Sequence, residues 1–457
     1  MKDLLIVGGS DAGISAALRA REQDQTVQVT VLLADDFPNY SICGLPFFLS
    51  GEVPDWRALA HRTREELAGQ GIRLLPRHTA TAILLREREV AVSSPGGELR
   101  LSYDRLILAT GASSRRPRHV EGLDLPGVFF LRWMGDGFAV DAYLQNHNPS
   151  SALIIGSGYI GMEMADALTR RGLAVSVAGH SQSVLKTVDP EFGVLIQEEL
   201  DRNGVQVESR VAVGKISARD GGLAVTGAGG FQAQADLVLV ATGAEPATEL
   251  AVTAGIALGR GGAIQVNRRM ETGVPGVYAA GDCVETWHRV LGKTVYQPLG
   301  TTAHKQGRIA GENALGGAKE YAGTLGTQVV KIFDLAVART GLRDEEAKTE
   351  GFAPLTVETQ CWDHKAYYPG PRKLHIRVTG DRATGRLLGA QIIGHWQADI
   401  AKRVDIFATA IFHGMTVDDL AQLDLSYTPP LGSPWDPVQM SAQTWCHTLS
   451  LHGKTDV

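Results

Sequence analysis

One cysteine near the N-terminus lies among residues that suit thiol chemistry. Cys43 belongs to segment 39–46, in which Gly44 begins a short predicted helix, 44–49. A cysteine attacks a disulfide as its thiolate, and a helix N-terminus favours that anion. A free cysteine can also be only a small buried apolar side chain. The setting predicts that Cys43 is a redox-active thiol, and the elements around it must then supply and receive electrons.

A glycine-rich turn precedes this segment and predicts a dinucleotide site. The apolar run 4–7 leads into Gly8, Gly9 and Gly13, and helical spacing of apolar residues follows from Ile14. Glycines in a strand-to-helix turn let the backbone approach a pyrophosphate, whose charge lies at the helix N-terminus. A serine replaces the middle glycine of the G-x-G-x-x-G pattern, so this copy alone is a weak signal.

The same unit returns 148 residues later in complete form. The apolar run 151–155 leads into Gly156, Gly158 and Gly161, with Tyr159 and Ile160 between the last two. Two such units in one chain predict two dinucleotides, and a flavin with a nicotinamide nucleotide is the pair that oxidoreductases use.

Neither copy carries the usual acidic residue that binds the adenosine ribose at the end of its second strand. In the first copy this strand, 27–33, is followed by Asp35 and Asp36, which either reach back to the ribose or are solvated loop residues. In the second copy the corresponding strand, 173–178, is followed by His180, with Ser181 and Lys186 nearby. Donors without a carboxylate suit a 2′-phosphate, so the sequence predicts that NADPH is accepted.

Further strand ends add candidate cofactor contacts. Thr110 and Gly111 end one apolar strand, and Gly243 ends another of the same pattern. Asp282 ends a third, where it could accept hydrogen bonds from a polyol. Thr301 begins a predicted helix, 301–313, whose N-terminus is expected to face the flavin.

Composition sets the broad class. The chain has 457 residues, 44% of them hydrophobic, which indicates about three domains of a soluble globular α/β protein. A net charge of −6 and the lack of a long apolar run give no reason to predict nucleic-acid or membrane partners, and a cytoplasmic location is expected. Cys283, Cys361 and Cys446 show no metal or disulfide spacing, so they are predicted to be structural and no metal is predicted.

With these motifs the chain resembles the pyridine nucleotide–disulfide oxidoreductases over essentially its whole length. Within them it is similar to the single-cysteine branch and most similar there to the coenzyme A-disulfide reductases, through segments 40–46, 367–370, 427–430 and 435–438. The resemblance implies an α/β fold with two Rossmann-like domains, the NAD(P) domain being inserted into the FAD domain, and a C-terminal α+β dimerisation domain. The expected domains are the FAD domain (1–118 and 247–321), the NAD(P) domain (119–246) and the dimerisation domain (322–457).

The resemblance also implies roles for individual residues. It places Gly8, Gly9 and Gly13 at the FAD pyrophosphate, Asp282 at the FAD ribityl chain, and Gly156, Gly158 and Gly161 at the nicotinamide nucleotide. Tyr159 would cover the flavin, with Glu163 nearby. Tyr427, with Tyr368 or its neighbour Tyr367, would reach the thiol of the partner subunit in a homodimer.

Departures from the family pattern leave alternatives open. Phe47 and Phe48 stand where a second cysteine would lie, so an internal disulfide is excluded and coenzyme A disulfide is the expected substrate. Asp11 stands where related peroxidases carry histidine, and it is either a helix-capping residue or a group that acts on Cys43. The alternatives are a water-forming NAD(P)H oxidase that cycles Cys43 through sulfenic acid, and a flavoprotein whose redox state controls partner binding.

Five basic residues are candidates for a coenzyme A phosphate pocket: Arg19, Arg21, Arg62, Arg372 and Lys373.

Overall fold

The computed structural model of the chain describes residues 3–452. Its first segment holds a strand–turn–helix unit, the Cys43 loop and a small antiparallel sheet. The elements are β1 (Asp3–Val7), α1 (Asp11–Gln23), β2 (Gln28–Leu32), α2 (Leu45–Ser50), α3 (Arg64–Gly69), β3 (Ile72–Leu75), β4 (Thr79–Leu84), β5 (Glu89–Ser94), β6 (Gly97–Ser102), β7 (Arg105–Leu108) and β8 (Ala112–Ser114).

The second segment repeats the strand–turn–helix unit and its own antiparallel sheet. The elements are β9 (Val128–Phe129), α4 (Met134–His147), β10 (Ser151–Ile155), α5 (Tyr159–Arg170), β11 (Ala174–Gly179), α6 (Pro190–Arg202), β12 (Gln206–Ser209), β13 (Val213–Arg219), β14 (Gly222–Gly227), β15 (Gln232–Ala235), β16 (Leu237–Val240) and β17 (Ala244–Pro246).

The chain then returns to the first sheet before it enters the C-terminal region. The returning elements are α7 (Glu249–Thr253), β18 (Val277–Ala279), β19 (Thr286–His288), β20 (Lys293–Val295) and α8 (Gly300–Ala314). The C-terminal elements are β21 (Gln328–Ile332), β22 (Leu335–Gly341), α9 (Asp344–Thr349), β23 (Pro354–Trp362), β24 (Lys373–Asp381), β25 (Leu387–His395), α10 (Ile400–Phe412), α11 (Val417–Ala421) and α12 (Pro437–His452).

Two parallel five-stranded sheets form the nucleotide-binding part. The first has the order β18-β7-β1-β2-β3 and the second the order β12-β11-β10-β16-β9. Because β18 comes from beyond the second sheet and still pairs with β7, the second unit is inserted into the first. Residues on both faces of the central strands are buried, as in β1 and β10, because helices cover both sides of a parallel sheet.

The C-terminal sheet is antiparallel, with the order β21-β22-β25-β24-β23. The Ala-Thr-Gly at 383–385 lies in the hairpin turn that joins β24 to β25. The sequence did not reveal β22 or α12. Trp445 of α12 packs against the sheet, 2% exposed, and its indole N–H donates to the Leu355 carbonyl at 2.8 Å.

Candidate active site

The two glycine turns have nearly the same geometry. Gly8 and Gly156 have φ of 111° and 118°, and a Cβ atom on either would lie 2.1 and 2.3 Å from the carbonyl oxygens of Ala109 and Ala241. Only glycine accepts both the positive φ and the close approach. The predicted pair of dinucleotide turns is therefore present in structure as well as in sequence.

The serine in the first turn is explained by the second turn. Ser10 has φ −94°, and the corresponding Gly158 has φ −86°, with open space where its Cβ would point. Any residue adopts this backbone without strain. The degenerate motif therefore keeps the geometry of the complete one.

One continuous cleft of about 2610 Å³ joins the two turns. Most of the predicted site residues line it, and they lie on both sides of the boundary between the two parallel sheets. They are Gly8, Gly9, Asp35, Cys43, Thr110, Gly111, Gly156, Gly158, Tyr159, Ile160, Glu163, His180, Gly243, Asp282 and Thr301. The glycine cradles and the helix N-termini at both turns fit two dinucleotides.

The third glycine of each motif serves packing instead. A Cβ on Gly13 would lie 1.8 Å from the Gly8 carbonyl oxygen, and one on Gly161 would lie 2.0 Å from that of Gly156. Neither residue lines the cleft. These two glycines let α1 and α5 begin directly behind their turns.

Of the two aspartates after β2, the structure places only the first in the cleft. Asp35 lines it, and one of its oxygens accepts from the Phe37 N–H at 3.0 Å. Asp36 instead forms ion pairs with Arg64 at 2.8 Å and Arg77 at 3.6 Å. Asp35 is the residue positioned to reach a ribose.

The backbone around Asn39 fixes the Cys43 loop against the first turn. Asn39 has φ 55°, its N–H donates to the Gly9 carbonyl at 2.9 Å, and its carbonyl accepts from the His61 N–H at 3.0 Å. Cys43 then lies in a 3₁₀ turn, Ile42–Gly44, and α2 begins at Leu45, one residue later than predicted. The thiol is exposed to the cleft.

Charges around the thiol act in both directions. Although Cys43 opens onto the cleft, the protein atoms packed around it displace water, and this desolvation raises its pKa. The carboxylates of Glu163, Asp11 and Asp282 raise the pKa further, and Arg132 lowers it. Among the groups of the chain itself, burial and three acids oppose the thiolate and Arg132 favours it. That the helix N-terminus and a bound flavin favour the thiolate stays a prediction.

Arg132 is a site residue that the sequence did not reveal. It lies between β9 and α4, binds Asp282 through its guanidinium, and donates from Nε to the Ala112 carbonyl at 3.2 Å. Arg132 belongs to no motif. It is 150 residues away from Asp282 in the sequence, and only the tertiary fold brings the two side chains together.

Two further acids have perturbed protonation. Burial raises the pKa of Glu163 to about 7, and the nearby Asp166 adds to the effect. Burial also raises the pKa of Asp11, whereas His61 and His304 lower it. Asp11 is the first residue of α1, and its carboxylate also lies beside Gly300 at the start of α8.

The predicted tyrosines and basic residues lie elsewhere. Tyr368 and Tyr427 are 42% and 44% exposed on the C-terminal region, and neither lines the cleft of their own chain. None of the five candidate phosphate ligands lines it either. Arg19 pairs with Glu312 at 2.8 Å, and Arg21 donates to backbone carbonyls, including that of Val27 at 2.9 Å.

Comparison with known proteins identifies the family. The family model described as "Pyridine nucleotide-disulphide oxidoreductase" matches residues 2–307, and the model of that family's dimerisation domain matches residues 327–436. The chain belongs to the pyridine nucleotide-disulphide oxidoreductases. The resemblance inferred from the motifs is confirmed, and so is the fold of two nucleotide-binding domains with a C-terminal dimerisation domain.

Individual relatives of this oxidoreductase align over most of their length. An "NAD(P)H sulfur oxidoreductase (CoA-dependent)" from Pyrococcus furiosus is 36% identical, over 97% of this chain and 98% of the relative. A "Coenzyme A disulfide reductase" from Staphylococcus haemolyticus is 30% identical, over 96% and 98%. The structure of an NAD-dependent persulfide reductase from A. fulgidus is 34% identical, with a TM-score of 0.94 over 98% of this chain and 83% of that one.

No helix among residues 3–452 is long and apolar enough to span a bilayer. In the same range, no cluster of three or more histidine, cysteine or acidic side chains is arranged to hold a metal ion.

Proposed function

We propose that this oxidoreductase uses FAD and NAD(P)H to reduce a low-molecular-weight disulfide through a mixed disulfide on Cys43. Coenzyme A disulfide, or a coenzyme A persulfide or polysulfide, is the proposed substrate, as the names of the relatives suggest. The carrying observation is that Cys43 is the only cysteine, among the described residues, that lines the cleft joining the two glycine turns. Its second sulfur must therefore come from the substrate.

The chain's own residues account for the thiol chemistry. The Cys43 thiolate attacks one sulfur of R–S–S–R, so that Cys43–S–S–R forms and RS⁻ leaves. Bound FAD and NAD(P)H supply the two electrons that, with two protons, return the mixed disulfide to the Cys43 thiol and RSH. Arg132 favours the thiolate, and Glu163, whose pKa is about 7, can hold or release a proton beside it at neutral pH.

We propose that the C-terminal domains pair two chains into a homodimer. Tyr368 and Tyr427 would then donate a proton to the leaving sulfur at the partner's site, because their exposure outside their own cleft leaves them available to a second chain. The domain boundaries stay as predicted from the sequence, 1–118, 119–246, 247–321 and 322–457, of which residues 1–2 and 453–457 lie outside the described structure. The cytoplasmic location also stays a prediction.

We propose that NADPH is accepted at the second turn. His180, Ser181 and Lys186 line the cleft after β11, and no carboxylate follows that strand to repel a 2′-phosphate. Steady-state kinetics with NADPH and NADH check this. A strong preference for NADH would contradict it.

The Cys43→Ser variant separates thiol chemistry from electron supply. We expect it to lose reduction of coenzyme A disulfide, because a hydroxyl cannot form the mixed disulfide, while NAD(P)H oxidation by ferricyanide continues. Cys361→Ser is the matched control and should keep both activities, since Cys361 is buried away from the cleft. Disulfide reduction that survives in Cys43→Ser would contradict the proposal.

A further inference from the structure

The segment 180–189, called here the nucleotide loop, connects β11 to α6 and borders the second glycine turn. Its residues His180, Ser181, Lys186 and Thr187 line the cleft. Its middle is tied to the glycine turn, because the Leu185 N–H donates to the Ser157 carbonyl at 2.8 Å. The loop therefore presents a side of the proposed nicotinamide nucleotide pocket.

The end of the nucleotide loop is held by the C-terminal sheet. Arg339 of β22 donates from Nη1 to the Thr187 carbonyl at 2.7 Å. Two residues later, Asp189 accepts from Gln391 Nε2 at 2.7 Å and from Arg377 Nε at 2.9 Å, while its own N–H donates to Gln391 Oε1 at 2.7 Å. Side chains of β22, β24 and β25 thus fix a loop that is more than 150 residues away in sequence.

Arg339 is itself held rigidly. It is 7% exposed, its two Nη atoms donate to the two oxygens of Glu346 at 3.1 and 2.7 Å, and Nη2 also donates to the Gly341 carbonyl at 2.7 Å. Burial opposes ionisation of Glu346, but the hydrogen bonds and charge of Arg339 lower its pKa to about 2. The pair stays ionised at neutral pH, and a planar guanidinium in a fork of this kind has one orientation.

The same pair lines the cleft together with Tyr159 and Glu163. The charge of Arg339 opposes the burial that raises the pKa of this tyrosine. One guanidinium therefore holds the end of the nucleotide loop and acts through its charge on the first residue of α5.

We infer that Arg339 is a positioning residue for the nicotinamide nucleotide, which acts from the C-terminal domain by fixing the Thr187 carbonyl and with it the neighbouring Lys186. Glu346 orients the guanidinium. The inference rests on the proposed function, because it assigns the second turn to that nucleotide. It makes the C-terminal sheet part of the nucleotide site as well as the element matched by the dimerisation family.

The test uses the FAD-loaded protein and two variants. Arg339→Met removes the guanidinium and its paired hydrogen bonds to Glu346 at similar side-chain volume. Arg339→Met/Glu346→Gln removes both charges of the pair, so that Glu346 is not left as a buried carboxylate without Arg339. Loss of a charged hydrogen bond of this kind is expected to weaken binding of NADP⁺, measured by calorimetry, by about tenfold. Hydrogen exchange should become faster in residues 180–189 and stay unchanged in 39–46.

Kinetics with ferricyanide separate positioning from general damage. We expect the KM for NADPH to rise in both variants while kcat changes by less than about twofold, and Arg339→Lys to fall between them and the wild type. Arg289→Met is the matched control, because Arg289 donates to the Phe412 and Ala322 carbonyls, at 2.8 and 3.0 Å, and not to the nucleotide loop. Its KM for NADPH should stay at the wild-type value.

Two results would overturn the inference: NADP⁺ affinity and loop exchange that stay at wild-type values in both variants, or equal losses in Arg289→Met. Failure of the proposed function looks different. In that case the wild-type protein itself would fail to bind NADP⁺ or to reduce ferricyanide with NADPH, or would do both and yet not reduce a disulfide.

Discussion

At the scale of single residues, the site is a thiol surrounded by acids and one arginine. Glu163, Asp11 and Asp282 raise the pKa of Cys43, after burial, and Arg132 opposes them. The sequence context singled out Cys43, and the structure places this residue in the cleft. The balance of charges around it was not predicted, because the tertiary fold brings Arg132, just before α4, and Glu163 of α5 to the thiol.

Glu163 makes stability depend on pH in a defined window. Its folded pKa of about 7 lies above the ordinary 4.5, so the protonated form stabilises the fold fully below pH 4.5 and the effect is lost as pH rises to about 7. In Glu163→Gln this loss should disappear. We expect the unfolding free energy of the wild type to fall by up to about 3 kcal/mol relative to the variant across the window.

Urea unfolding of flavin-free protein at pH 5, 6, 7 and 8 measures this difference. Glu358→Gln is the control, since Glu358 forms ion pairs on the C-terminal sheet far from Cys43 in the chain and does not line the cleft. Parallel pH profiles for the wild type and Glu163→Gln would show that the carboxyl titrates normally.

At the scale of elements, repetition made the prediction possible. The two strand–turn–helix units were visible because glycine is required at the first position of each turn, and the strands bordering them were predicted to within about two residues. Among the elements that were missed are β22 and α12. β22 ends at Gly341, which has φ 67°, but no recognisable motif surrounds that glycine, and α12 is placed by its packing on the C-terminal sheet. Arg339 was missed for that reason.

The Asn39 turn positions the thiol through a strained backbone. The left-handed backbone conformation at φ 55° costs most residues about 1–2 kcal/mol, whereas glycine and asparagine adopt it readily. Asn39→Ala should therefore destabilise the protein by roughly 1 kcal/mol. We also expect the alkylation rate of Cys43 to change, because Asn39 hydrogen-bonds to the backbone of Gly9 and of His61 and so holds the Cys43 loop in place. Urea unfolding and timed alkylation measure the two effects.

Asn148 provides a matched control for this change. It also has a positive φ, 43°, but it ends α4 and does not line the cleft. Asn148→Ala should cost similar stability without altering Cys43 alkylation. Equal alkylation changes in the two variants would mean that the Asn39 turn does not position the thiol.

At the scale of the whole molecule, the proposed homodimer divides each site between two chains. Exposed aromatic side chains gather on the C-terminal region, among them Tyr367, Tyr368 and Tyr427 at 73%, 42% and 44% exposure. Such a surface on a domain matched by a dimerisation family is a candidate interface. The sequence predicted this arrangement only through the family resemblance, because nothing local in segments 367–370 or 427–430 specifies a partner.

Mixed dimers test whether the site is shared. Cys43→Ser and Tyr368→Phe/Tyr427→Phe chains should each be impaired alone. After unfolding and random reassociation, half of the dimers contain one chain of each kind, and one of their two sites is intact, so about a quarter of wild-type disulfide reduction should return. No recovery, with proven exchange of chains, would place the tyrosines' role within their own chain.

The central claim is that the second sulfur at Cys43 belongs to the substrate. Mass spectrometry of the oxidised protein, purified without reductant, tests it most directly. We predict a mass addition equal to coenzyme A on the peptide that contains Cys43, released by NADPH under anaerobic conditions and absent from Cys43→Ser. An unmodified or oxygenated Cys43 would contradict the account and favour the sulfenic acid cycle of an oxidase.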